Sequence, residues 1–378
     1  MEILYWVLGV LAFILMLAIS IGLHEAGHMS VAKLFKLSVP RFFVGFGPTL
    51  WSKKTDKTEY GIKAIPLGGF VMIEDNNQSD DSPEKQMLSY VSPWKRILVF
   101  LAGPAVNLVL GTVILVGVLL SYPTQYVTTK VDTVDVCATS NNVCGAYSSG
   151  LLSGDEIVSI NGIAINGDAE KISPTIAIIG KSSVNLVVNR NNSEILLNDV
   201  AVTDGRIGIN LNLGERYIST SEAFGTLGTV MFKNVEALST LPSKVPALFE
   251  NIADEKNGED VPSSVVAVGK TYGDVSASTS LTNGDKVKTL LVYSGMLNIG
   301  LGMINLLPIM PLDGGRIFIA VMDSIRIGFS RLTRRKWKYT PVSMKMINNM
   351  TAVTASAVFS FMGLVIISDI VLIFRGQL

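Results

Sequence analysis

Apolar residues run along this chain in blocks too long for a soluble core, and polar and charged residues crowd into the stretches between them. A helix rises about 1.5 Å per residue, so about 20 apolar residues cross the hydrocarbon of a bilayer. Four stretches reach or approach that length: Ile3 to Leu23, Ile97 to Ser121, Thr289 to Leu307 and Ala352 to Phe374. The third is the weakest, since Asn298, Asn305 and Pro308 interrupt it. Ahead of the first stand Glu2 and no Lys or Arg, and no small-residue cleavage site follows, so it reads as a retained helix rather than a signal peptide. The pattern predicts a polytopic α-helical membrane protein with four transmembrane helices.

Composition sharpens this. Of 378 residues 48% are hydrophobic and only 16% charged, well outside the range of soluble domains. Formal net charge is zero, so no basic field argues for a nucleic-acid partner, and membrane lipid is the expected surrounding. The distribution of charge is the informative part. Lys33, Lys36, Arg41, Lys53, Lys54, Lys57, Lys63, Lys85, Lys95 and Arg96 lie between the first two spans. Arg316, Arg326, Arg331, Arg334, Arg335, Lys336, Lys338 and Lys345 lie between the last two. Positive residues stay inside, so both loops are expected in the cytosol, with both termini and residues 122 to 288 outside. On that reading "RLTRRKWKY" is a solvated juxtamembrane loop and contacts no nucleic acid.

The outer segment changes character. Short strand-like runs, "VNLVVNR" and "SEILLNDV", flank the turn "RNNS". Before them stands "SSGLLSGDEIVSINGIAI", with Gly150, Leu151, Gly154, Asp155, Ile157, Ile160, Asn161 and Gly162 at spacings that resemble a PDZ domain. That resemblance implies a β-rich α+β domain over 122–214, whose groove takes an extended peptide as an added strand. Cys137 and Cys144 fall on the oxidising side, where they can pair or stay as two free thiols. Residues 215–288 read as a looser connector; "SEAFGTLGTVMFKNVEALSTL" has the spacing of an amphipathic helix, for the membrane surface or for packing, and "DEKNGED" reads as a solvated loop.

Chemistry concentrates at "HEAGH". Positions four apart share a helix face, so His24 and His28 can hold one Zn²⁺ with Glu25 beside them, the spacing of a metallopeptidase. The chain has only these two histidines. A catalytic zinc takes three protein ligands and keeps one position open, so the third ligand is a carboxylate or a thiolate. The cysteines are expected across the membrane. Asp323, with Arg326 nearby, and Asp369 read as interfacial residues. Asp313 sits in "NLLPIMPLDGGR", where prolines and glycines break the helix at membrane depth, a place where irregular backbone must be buried or line a wet cavity.

Together these residues resemble the site-2 protease family of intramembrane zinc metalloproteases, in its bacterial PDZ-containing branch. The resemblance implies His24, His28 and Asp313 as zinc ligands, Glu25 as the catalytic acid/base, and Asn305 as a hold on the substrate backbone. "AGPAVN", with Gly103, Pro104 and Asn107, matches the second-span motif. "VGFGPTLW" followed by "YGIKAIPLGGFVMI", with Gly68 and Gly69, resembles a membrane-associated β-hairpin that offers an edge to unwound substrate. Arg316 stands where the family often has His, which puts any role borrowed for that position in doubt.

The implied order is the first helix with its zinc motif over 1–35, the hairpin loop over 36–95 and the second helix over 96–121. The PDZ domain and connector (215–288) follow, then a third membrane segment with the Leu-Asp-Gly motif over 289–321. A basic cytosolic loop over 322–351 and a fourth helix over 352–374 complete it. The implied function is hydrolysis of bonds within or near the membrane helices of single-pass proteins of the anti-sigma-factor type, trimmed beforehand by another protease, in a bacterial cell membrane. Two other classes stand beside it: a PDZ membrane scaffold with a structural metal, and a membrane-anchored protease for soluble substrates. A structural zinc site is normally closed by four protein ligands, which disfavours the first; burial of the site in apolar spans disfavours the second.

Overall fold

The computed structural model describes residues 2–74, 91–135, 145–179, 183–253, 264–332 and 344–375. Cys137, Cys144, "DEKNGED" and most of "RLTRRKWKY" lie outside them. In chain order the elements begin with helix α1 (Glu2–Leu34), strands β1 (Ser38–Lys54) and β2 (Glu59–Glu74), and helix α2 (Pro93–Ser121). Then come β3 (Thr124–Val134), α3 (Gly145–Ser148), β4 (Glu156–Ile160), β5 (Ile163–Ala164), α4 (Ile172–Ile179), β6 (Ser183–Arg190), β7 (Ser193–Ala201) and β8 (Ile209–Arg216). The chain finishes with α5 (Thr220–Thr240), α6 (Val245–Ala253), α7 (Val265–Ala277), α8 (Asn283–Asn305), α9 (Asp313–Leu332) and α10 (Met344–Phe374). Two compact units result, one of Met1–Val118 with Thr220–Leu378, the other of Leu119–Ser219.

In the first unit α1, α2, α8 and the Asn349–Phe374 part of α10 are long and apolar enough to cross a membrane. Lipid tails are as apolar as Leu, so helices there associate by close packing at small residues. Gly111 of α2 lies against the Gly295 carbonyl and Ile299 of α8, and Gly302 of α8 against Leu108 and the Pro104 carbonyl. The break foreseen in the third span ends α8 at Asn305, and Asp313 then starts a separate helix, α9. This helix runs to Leu332, through much of the stretch read as a basic loop.

The connector is more ordered than its composition suggested. It holds α5, α6 and α7, and α7 packs on the first half of α1, with Phe13 and Tyr272 rings 5.1 Å apart. Gly9 and Gly273 make room for the crossing. Asp369 corrects the interfacial reading: it is 1% exposed, and its carboxylate accepts the Ser264 amide at 2.5 Å where α7 begins.

The hairpin is built on a doubled register. Arg41–Val44 pairs on one side with Gly69–Met72 and on the other with Glu59–Ile62, and Glu59–Lys63 pairs in turn with residues of Thr49–Lys54. Left-handed glycines at Gly45 and Gly47 bend β1 and let it fold back. Ile62 therefore lies in an inner row with partners on both sides, whereas Gly69–Met72 has, among the described residues, a strand partner on one side only. Within 42–73 the edge rows are therefore Gly69–Met72 and, on the far side of the sheet, Thr49–Lys54. Ala32, Val39, Ile73 and Val99 form one buried cluster that fixes the sheet to α1 and α2.

The second unit is a sheet in the order β7-β6-β4-β3-β8, with β5 paired to β4. Asn161 and Gly162 take positive φ between β4 and β5, and Asn191 and Asn192 do so between β6 and β7. These are the paired left-handed residues of two-residue hairpin turns. Burial alone would raise the Asp155 carboxyl, but two hydrogen bonds from Arg190 at 2.7 Å and one from the Leu152 amide hold it below the usual range.

Candidate metal centre

Helical spacing on α1 delivers His24 and His28 to one face, 7% and 6% exposed, with ring centroids 4.8 Å apart. Asp313 arrives as the first residue of α9. Its approach is set by the short turns between α8 and α9, where the Leu312 amide donates to the Ile309 carbonyl and the Gly315 amide to the Leu312 carbonyl. A side chain at Gly314 would strike the Leu306 and Leu307 carbonyls, and one at Gly315 would come 2.7 Å from the Met310 nitrogen. The two glycines are what allow Asp313 to sit so close to the turn before it.

Three ligand atoms converge. His24 Nε2 and His28 Nε2 stand 3.1 and 3.2 Å from Asp313 Oδ2, and 3.2 Å from each other. The edge of a tetrahedron with zinc-like bonds of about 2.0 Å is about 3.3 Å. His28 Nδ1 donates to the Val99 carbonyl at 2.7 Å, which leaves the Nε2 lone pair facing inward. A single proton satisfies one of the three contacts; a metal cation satisfies all of them. Two imidazoles and one carboxylate suit zinc with one position left open.

Helix α2 backs this arrangement. At Gly103 a Cβ would run into His28 Nε2 and lie 2.6 Å from His28 Cε1 and 2.8 Å from His24 Nε2. Sequence reading noted Gly103 as part of a motif without seeing its task, and it missed Val99 altogether. The hydrogen bond from His28 has no signal in the sequence, because any residue supplies a carbonyl. It also misjudged Asp323. That residue is 1% exposed, and its Oδ2 receives Arg96 Nη2 of α2 at 2.7 Å, which ties α9 to α2. Removing one partner leaves a buried charge unpaired, at a cost of about 3–5 kcal/mol.

Glu25 is half-buried beside His24, and the Gly69–Met72 row runs past it: a Cβ at Gly69 would lie 2.9 Å from Glu25 Cγ and 3.2 Å from Ile21 Cγ2. Gly68 lies instead against the Phe46 ring. Asn107 is one helical turn beyond Gly103, 1% exposed, with Oδ1 unpartnered among the described residues. Asn305 is half-buried at the end of α8. Arg316 places its guanidinium 5.4 Å from the Phe100 ring centroid, a cation–π contact with α2.

Residues 12–347 match peptidase family M50. The chain belongs to this family. The zinc metalloprotease Rip1 of Mycobacterium tuberculosis is 32% identical over 97% of this chain and 98% of its own length. Rip1 of Mycolicibacterium smegmatis is 29% identical over 96% and 97%. The chloroplastic membrane metalloprotease ARASP of Arabidopsis thaliana is 27% identical over 85% of this chain and 72% of its own length. As an M50 peptidase the protein is a zinc metalloprotease of the site-2 type, and His24, His28 and Asp313 are its candidate metal ligands. Zinc held there by His24, His28 and Asp313 would acidify a water and polarise a carbonyl.

Proposed function

We propose that this M50 peptidase hydrolyses peptide bonds within or near the membrane helices of single-pass proteins, in regulated intramembrane proteolysis of anti-sigma-type regulators already trimmed by another protease. The observation that carries the reading is the company the ligands keep. His24 and His28 lie on α1, a helix apolar enough to cross a bilayer, with a one-sided strand row beside Glu25. A helix must unwind before its amide can be attacked, and freed backbone groups in hydrocarbon need partners. The Gly69–Met72 row supplies main-chain groups for such a strand. Asn305 and Asn107 hold the substrate backbone, and Gly68 and Gly69 keep the row free of side chains that would block it. Glu25 takes the proton of the attacking water and passes it to the leaving nitrogen.

The β-rich unit serves as a PDZ domain outside the cell membrane, with both termini on the same side. Its glycines and Asn-Gly turn stand at PDZ spacing, and the basic loops support the orientation. An impermeant thiol reagent applied to intact cells should label Ser193→Cys and spare Lys57→Cys; the opposite pattern would overturn the orientation. For the activity, the full chain reconstituted in liposomes is offered a trimmed single-pass substrate, its untrimmed form and a soluble peptide of the same cleaved sequence. Cleavage should be fastest on the trimmed membrane substrate. Equal turnover of the soluble peptide would remove the intramembrane reading.

A further inference from the structure

Four buried residues of α2, Arg96, Val99, Phe100 and Gly103, stand three or four positions apart and so share one face of the helix. Two of them serve the histidines: the Val99 carbonyl accepts from His28 Nδ1, and Gly103 leaves room for both rings. The other two reach α9. Arg96 Nη2 donates to Asp323 Oδ2 at 2.7 Å, and the Phe100 ring lies 5.4 Å from the Arg316 guanidinium. Arg316 and Asp323 share a face of α9 with Ala320, which is fully buried between them in the sequence.

These contacts run antiparallel, Arg96 with Asp323 and Phe100 with Arg316. Three residues onward from Phe100 stands Gly103, and three residues back from Arg316 stands Asp313. The register that joins Phe100 to Arg316 therefore brings Asp313 level with the glycine against which the two ligand rings pack.

The turn before α9 fixes where that helix begins, but the direction of the Asp313 carboxylate depends also on how α9 slides and rotates. A slip of one residue moves a helical position by about 1.5 Å and turns it by about 100°. Asp313 Oδ2 lies 3.1 and 3.2 Å from the two histidine nitrogens, so such a slip takes it out of the cluster. Holding the rotation requires an anchor away from the first turn, and Asp323 is ten residues further on, about 15 Å along the axis. Stability alone explains the ion pair poorly. Removing two charges from water costs about as much as their attraction returns, and apolar residues of similar volume often serve as well.

We infer that Arg96 and Asp323 are positioning residues for the metal centre: their ion pair sets the slide and rotation of α9 on α2, so that one helix places all three ligands. The inference rests on the metal site and is independent of the substrate reading above.

The full chain in nanodiscs tests this through zinc affinity, the visible absorption of Co²⁺ bound in place of zinc, and thermal melting of the metal-free protein. The double variant Arg96→Met with Asp323→Leu removes the tie and leaves neither charge buried alone. Its metal-free melting should match the wild type, while zinc affinity falls about tenfold, the lower range for a lost partner of a metal ligand. Its Co²⁺ bands should shift and weaken as the carboxylate leaves the ion. Arg96→Lys, which keeps a cation for Asp323, should recover most of the affinity and the wild-type bands. Wild-type affinity and bands in the double variant would show that the pair does not act on the metal. A fall in metal-free melting alongside the lost affinity would make the pair a support of the fold instead, and a loss in Arg96→Lys as deep as in the double variant would remove the charge pairing as the cause. Each of these three results overturns the inference.

Discussion

Glu25→Gln is expected to keep zinc near one ion per chain while proteolysis falls by about 10³-fold or more, within reach of what a lost acid/base costs. The side chain contributes none of the three converging ligand atoms, which belong to His24, His28 and Asp313. Gln has the same length and shape, so its packing beside the Gly69 row survives. What disappears is a group that can accept a proton from water and release it to an amine. Metal analysis and cleavage of a reconstituted single-pass substrate, run on one preparation, decide the matter. Full turnover by this variant would mean that the proton moves through another residue.

Gly103→Ala is expected to lower zinc affinity by about 100-fold or more, in line with disturbed support around metal ligands, and to abolish cleavage with it. One methyl group at this position meets both ligand rings, each closer than real Cβ atoms come to a neighbour. The rings cannot back away cheaply, since His28 is held by Val99 on the same helix. Gly117→Ala supplies the comparison: it lies further along α2 with nothing within 4 Å of an added Cβ. Competition with a chromogenic zinc chelator measures both variants. Wild-type affinity in Gly103→Ala would show that α2 does not back the ligands.

The site was legible in the sequence where chemistry is rare. A chain with two histidines four residues apart leaves few ways to build a zinc centre, and Asp313 stood out because glycine and proline surround it. Contacts that depend on tertiary packing were not legible. Arg96 and Asp323 are 227 positions apart, and nothing in either neighbourhood names the other. The hairpin was visible as two strands with a turn, but its doubled register was not: β1 has to fold back before one segment can pair on both edges. Nor did residues 265–277 announce that they pack on the first helix, since the fit depends on Gly9 lying against Tyr272 and Ser276 and Gly273 against Trp6.

His24 and Asp313 are separated by 289 positions. At about 5–20 residues per second, a ribosome needs on the order of 15–60 seconds to travel that distance. Throughout that interval the two histidines exist without their third partner, while α2 and α8 are still being delivered to the membrane. A newly made copy therefore has no three-ligand metal site of this kind until most of its own helices have been synthesised.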